Sequence, residues 1–200
     1  MNKLNLRKLQ HIAGLALQNG IRLHFDSIVL LKNKSYPSAL FLSVIAMEEI
    51  WKAFSADHFA WSTKINGRDE QKFEEKWINN LFWDHKYKQI SFLRNTHIKM
   101  AQKKEHYIFA ESKELDKLKQ DAIYVGIRST NISKNKTDGR INNPSKMSIK
   151  KCLAQVNLVQ NFLTQEIELI ETWVIEHDLA IFKKIFSTDL LNKLVQQKIN

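Results

Sequence analysis

Chain-breaking residues are scarce in this sequence, with five glycines and two prolines among 200 positions. Glycine and proline most often end regular structure, so a chain poor in both is committed to long elements. Only "INGR" at 65–68 resembles a tight hairpin turn between two runs, so the long elements are helices and the expected class is all-α. Residues 4–32 carry an apolar stripe through Leu9, Ile12, Ala16, Leu23, Leu30 and Leu31, with Asn19-Gly20 as a soft point in the middle. "NKSYP" follows: Ser35 or Tyr36 caps a second helix from about 37 to 60, and Pro37 suits a first-turn position. "TKINGRD" reads as a turn, with Asp69 as N-cap of a third helix over 70–95.

Further along, "ESKELDKLKQDA" predicts a strongly charged helix near 111–122, just before the apolar "IYVGI". The stretch 128–146, "RSTNISKNKTDGRINNPSK", has almost no apolar residues and is expected to be a loop. Amphipathic spacing returns over 147–176 through Leu153, Val156, Val159, Phe162, Leu163, Ile167 and Trp173, and one or two shorter helices end the chain. No repeat period or sustained heptad appears. The expectation is one up-and-down helical domain over 1–200, with a core at about 5–175 and a helical extension at 177–200.

No run of 18 apolar residues is present, and "MNKLNLRKLQHIAG" has no signal-peptide pattern, so a cytoplasmic protein without membrane contact is expected. One cysteine, Cys152, cannot form an internal disulfide. It reads as a small buried residue at the start of a late helix, and a zinc site would have to rest on histidines and carboxylates. The five tryptophans, at 51, 61, 77, 83 and 173, read as packing residues. The formal charge of +10 favours a polyanionic partner. More than half of it lies between Arg128 and Lys151, where seven basic residues face one acid, Asp138.

The most unusual segment is "SVIAMEEIWKAF", residues 43–54. Stepping about 100° per residue from Leu40, Ser43, Val44, Met47, Ile50, Trp51 and Phe54 share one face, while Phe41, Leu42 and Ile45 cover much of the other. This helix is apolar nearly all round and belongs at the centre of the fold. Yet Glu48, Lys52 and Glu49 fall together at about 80°, 120° and 180°. A Glu48–Lys52 i to i+4 pair contributes about 0.3–0.5 kcal/mol, too little to justify burying three charges. Either this wedge is wet or it serves a site. The third helix repeats the pattern, because Ile78, Leu81, His85, Lys88, Gln89 and Phe92 share one face. If the two polar wedges meet, Glu48, Glu49, Lys52, His85 and Lys88 form one mixed-charge cluster, of the kind that shifts pKa values. A bland reading stands beside it: a core histidine with a hydrogen bond and a structural ion pair. Glu48, Glu49 and His85 make a poor metal set, since no second Glu-x-x-His completes it. His11 and His97 read as surface residues.

The order "YPSALFLSVIAMEEIWKAF", then "FWDHKYK", then "ELDKLKQDAIYVGI" resembles the AbiV type of abortive-infection protein, in the HEPN superfamily of helical domains. The residues that carry it are Glu48-Glu49 with Lys52, Asp84-His85-Lys86 with Lys88, and Tyr124-Val125, and the likeness spans about residues 5–175. The resemblance implies a helical bundle that pairs as a homodimer and an antiphage role in which infected cells stop growth or translation. It also implies metal-independent ribonuclease chemistry, which in relatives uses an Arg followed by four to six residues and a His. This chain departs from that motif: none of Arg7, Arg22, Arg68, Arg94, Arg128 or Arg140 has a His five to seven positions later.

Two functions follow as expectations. In the first, the protein cleaves RNA without a cofactor. His85 is general acid or base, Lys88 or Lys52 steadies charge on the phosphate, and Glu48 or Glu49 orients the histidine. Lys86, Arg128, Lys134, Lys136 and Arg140 then hold the RNA backbone, and a phage-encoded protein releases the activity. In the second, a non-catalytic helical dimer sequesters a translation component or a phage protein, and the cluster fixes helix register.

Overall fold

The computed structural model describes residues 5–65, 75–100, 114–131, 136–169, 182 and 184–197; at 65, 75–76, 95–100, 114, 126–131, 136–140 and 188 it describes the backbone alone. The first helix, α1 (Leu6–Lys32), starts on Asn5, whose side chain accepts the Lys8 N–H at 2.9 Å. It runs unbroken through Asn19-Gly20. The expected soft point is instead a close contact: a Cβ on Gly20 would lie 2.7 Å from Ile50 Cγ1 and 3.1 Å from the Ala46 carbonyl oxygen. Glycine is there because two helix backbones approach across it. The chain reverses at Asn33–Ser35, where Lys34 takes φ 60° and the Ser35 N–H reaches back to the Leu30 carbonyl at 2.9 Å.

The second helix, α2 (Tyr36–Ile65), packs along α1 and is the centre of the fold, as its all-round apolar sequence requires. Around it lie α3 (Glu75–Phe82), α4 (His85–Met100), α5 (Glu114–Ile123) and α6 (Ile149–Leu169). A last helix, α7 (Thr188–Gln196), is capped by Ser187 and packs on α6. The single third helix expected over 70–95 is in fact two, and Asp69 lies outside the described residues. Asp84 makes the break: its side chain accepts the Tyr87 N–H at 2.9 Å and caps α4, which places His85 at the first helical position.

The loop expected at 128–146 is also corrected. Strands β1 (Gly126–Asn131) and β2 (Lys136–Asn142) pair antiparallel, with Gly126 opposite Asn142 and Ile127 opposite Ile141, and a 3-10 turn follows at Pro144–Lys146. A hairpin is held by backbone pairing, to which polar residues contribute as well as apolar ones, so a search for apolar residues passes over it. The architecture remains an all-α, HEPN-like bundle carrying one small hairpin.

Two apolar clusters fill the bundle. The larger joins Leu9, Leu17, Met47, Ile50, Phe54, Phe92 and Phe162, and Phe182, Phe186 and Leu194 from the last part of the chain belong to it too. Phe54 makes edge contacts with Phe162 at 5.4 Å and Phe182 at 5.1 Å, the geometry aromatic rings prefer. The smaller joins Ile28, Leu40, Leu118, Ala122, Cys152 and Val156. Helix α5 gives Leu115 to the first cluster and Leu118 and Ala122 to the second, so Lys119 stands where they meet. Among the described residues no helix is long and apolar enough to cross a membrane.

Candidate functional site

Glu48 is 2% exposed in the middle of α2, and its carboxylate gathers donors from two other helices. Oε2 lies 2.5 Å from His85 Nδ1, at the start of α4. Oε1 accepts from Gln89 Nε2 at 2.6 Å, one turn further along α4, and from Lys119 Nζ of α5 at 3.1 Å. Lys119 also reaches Asp116 Oδ1 at 3.1 Å. A buried carboxylate is tolerable only when its lone pairs are filled by donors and its charge is matched, and this one meets both conditions.

Glu49 turns the other way. It pairs with Lys52 and accepts from Asn19 Nδ2 of α1 at 3.3 Å. The expected Glu48–Lys52 pair is therefore replaced by an i, i+3 pair with Glu49, because His85, Gln89 and Lys119 occupy Glu48. Lys88 is 2% exposed and donates to the Phe82 carbonyl at 3.2 Å, tying the end of α3 to α4. Burial holds its pKa below the ordinary lysine value; Glu48 and Glu49 oppose that shift, while Lys52 and Lys119 add to it. Lys88 thus lies within the field of Glu48, Glu49 and Lys52, and His85 joins them through its bond to Glu48.

His85 is the part of this network that water reaches, with its side chain 55% exposed. A carboxylate at Nδ1 fixes the neutral ring as the Nδ1–H tautomer, which leaves the Nε2 lone pair as a base. That is the arrangement in which a carboxylate orients a histidine for proton transfer. Among the described residues no group of three His, Cys, Asp or Glu side chains is placed to hold a metal ion.

Lys86 is exposed beside His85. Arg128 lies on β1, and Lys136 and Arg140 lie on β2, but their side chains, and Lys134 altogether, fall outside the described residues. His11 is exposed as expected, while the His97 side chain lies outside the description. Trp77 stacks on Phe59 at 4.1 Å, whereas Trp83 is 67% exposed and not the packing residue expected. It occupies the break between α3 and α4, where neither helix can cover it.

Sequence reasoning left Gln89, Lys119, Asp116 and Asn19 out of the cluster. Lys119 had a legible signal, since Leu115, Leu118 and Ala122 set a helical apolar stripe on which it falls. Gln89 shared the face of His85 and Lys88 and was not assigned a role.

The chain is thus a helical bundle around a central α2, with a polar cluster where α2, α4 and α5 meet, and the family model that matches it is one of the HEPN class of domains. The family model for AbiV matches residues 8–164, and the chain belongs to that family of abortive-infection proteins. Comparison with curated proteins and with solved structures gives no significant match.

Proposed function

We propose that the protein is a cytoplasmic abortive-infection effector that acts on RNA as a homodimer and stops translation in infected cells once a phage-encoded protein activates it. The observation that carries the catalytic reading is an exposed histidine held at Nδ1 by a buried carboxylate. In this reading His85 Nε2 takes the proton from a ribose 2'-hydroxyl as that oxygen attacks the adjacent phosphorus. The 5'-oxygen leaves and takes a proton from water, giving a 2',3'-cyclic phosphate and a free 5'-hydroxyl, and the hydroxide so formed takes the proton back from His85. Lys52 and the exposed Lys86 offset the charge that builds on the phosphate, and Lys88 contributes through its field from beneath. No metal is needed for these steps.

The non-catalytic reading has an observation of its own. Glu48 is fully engaged by three donors from two further helices, as a register-fixing network requires, and the Arg-x(4–6)-His motif is missing. In that reading the dimer sequesters a translation component or a phage protein.

Incubation with tRNA and mRNA in EDTA, with and without lysate from phage-infected cells, separates the two. Cleavage that persists in EDTA and disappears in a folded His85→Ala variant is the expected result. RNA left intact by the wild-type protein under every condition, with binding that falls as salt rises, sinks the enzyme and leaves the binding module.

A further inference from the structure

Lys117 and Asp121 lie one turn apart on α5, about 160° around the helix from Lys119 and thus on its far side from Glu48. There they line an open cleft of about 460 Å3. Asn142 at the end of β2, Lys146 in the 3-10 turn, and Ser148 and Lys151 at the start of α6 complete it. The volume falls within the range of small-ligand pockets, about 300–1,000 Å3. Three lysines from three separate elements converge on this space against one acid. Like charges gathered in a concavity repel, and an anion bound among them removes that cost.

The walls are held before any ligand arrives. Asn142 is buried, and its Nδ2 donates to the carbonyls of Asp121 at 2.9 Å and Tyr124 at 2.5 Å, which pins the end of β2 to the end of α5. The Asn143 side-chain oxygen accepts from the Ser145 N–H at 3.0 Å and from its hydroxyl at 2.7 Å, and the Met147 N–H closes on the Pro144 carbonyl at 3.0 Å. A segment with the composition of a loose loop is thus a fixed wall, and a fixed wall loses little entropy on binding. Leu118, Ile141 and Met147 add apolar surface to the same cleft. Lysine ammonium groups suit phosphate as point charges, and apolar surface suits the flat face of a base.

We propose that this cleft binds a phosphate-bearing nucleotide unit, with Lys117, Lys146 and Lys151 on the phosphate and the apolar wall beneath the base. The unit is either a free mononucleotide or one nucleotide of an RNA chain. The site is separate from His85 and does not depend on cleavage there.

Calorimetric titration of the full chain with adenosine 5'-monophosphate, adenosine and a 12-nucleotide RNA, all at low salt, tests it. The combined Lys117→Gln, Lys146→Gln, Lys151→Gln variant is expected to lose about tenfold or more in affinity for whichever phosphate ligand binds. A combined Arg7→Gln, Lys184→Gln, Lys193→Gln variant, at three exposed positions outside the cleft, controls for the same loss of net charge, and helical signal and melting temperature control for folding. AMP binding lost in the triple variant, with no binding of adenosine, identifies a free-nucleotide site. RNA binding weakened in the triple variant, with no AMP binding, identifies a nucleotide of the chain. A folded triple variant with unchanged affinities, or a wild-type protein that binds neither phosphate ligand, overturns the proposal. Loss of cleavage in His85→Ala concerns the other site and is a distinct result.

Discussion

Glu48 and His85 meet at 2.5 Å, one buried in the middle of α2 and the other exposed at the first position of α4. The contact joins the dry interior to the solvent through a single carboxylate. Because Gln89 and Lys119 share that carboxylate, stability and proton chemistry are expected to separate only in graded variants. Glu48→Ala leaves Lys119 buried with Asp116 as its remaining acid and is expected to cost about 3 kcal/mol. Glu48→Gln keeps the shape but turns an amide N–H₂ toward a donor, at about 1–3 kcal/mol. Lys119→Met should restore part of the loss in Glu48→Gln, so the double variant costs less than the sum of the single ones. Urea denaturation of the four proteins measures this, and additive losses would contradict the network.

How much of this was legible follows from where the polar residues fall. Glu48, Lys52, His85 and Lys88 stood out because each interrupts an apolar phase, and the structure places them in one network. Lys119 interrupts an apolar phase in the same way but was lost among the surrounding charges of "ESKELDKLKQDA". The choice of partner was not legible: an i, i+4 pair is a local rule, and tertiary donors on α4 and α5 outcompeted Lys52 for Glu48. The break at Asp84 was also missed, since the apolar face continues in phase from Leu81 to Phe92 across it. Helix phase can be read from one chain, whereas the element that closes on a given face depends on the tertiary fold.

Gly20 and Ile50 set the distance between α1 and α2. A Cβ at position 20 meets Ile50 Cγ1 at 2.7 Å and backbone atoms of Ala46 and Ile50 at 3.1 Å. Gly20→Ala, normally favourable inside a helix, is therefore expected to destabilise by about 1–3 kcal/mol. Ile50→Ala removes the closest atom and costs stability by itself, but combined with Gly20→Ala it should show a favourable coupling. A stabilising Gly20→Ala in thermal melts would mean that the helices do not approach so closely.

Cys152 gives a chemical probe of the second apolar cluster. Its thiol donates to the Tyr36 carbonyl at 3.3 Å, and burial pushes its pKa up to about 11. At pH 8 only about one thiol in a thousand is then ionised, so alkylation of the native protein should be far slower than for a free thiol. Iodoacetamide labelling followed by mass spectrometry is expected to show little modification until denaturant is added. Fast native labelling would place Cys152 outside the cluster.

His24 makes the bundle sensitive to acid. It is fully buried in α1, its Nε2 donates to Gln160 Oε1 at 2.6 Å, and Gln160 Nε2 in turn donates to the Leu194 carbonyl of α7. That amide orientation makes Nε2 the protonated nitrogen and leaves Nδ1 without a partner, as a neutral imidazole requires. Burial lowers its pKa from 6.5 to about 4, and the Gln160 hydrogen bond opposes the shift without reversing it. Between these values the unfolded chain binds more protons than the folded one, so stability is complete above pH 6.5 and falls as pH drops toward 4. The loss amounts to about 3 kcal/mol over that window. Urea midpoints at pH 7.5 and pH 4.5 should therefore differ more for the wild-type protein than for His24→Leu, which has no proton to bind. The added proton would sit on Nδ1, which has no acceptor in the buried interior, so the cost of charging the ring falls on the folded state. Equal pH dependence in the two proteins would show that His24 titrates normally.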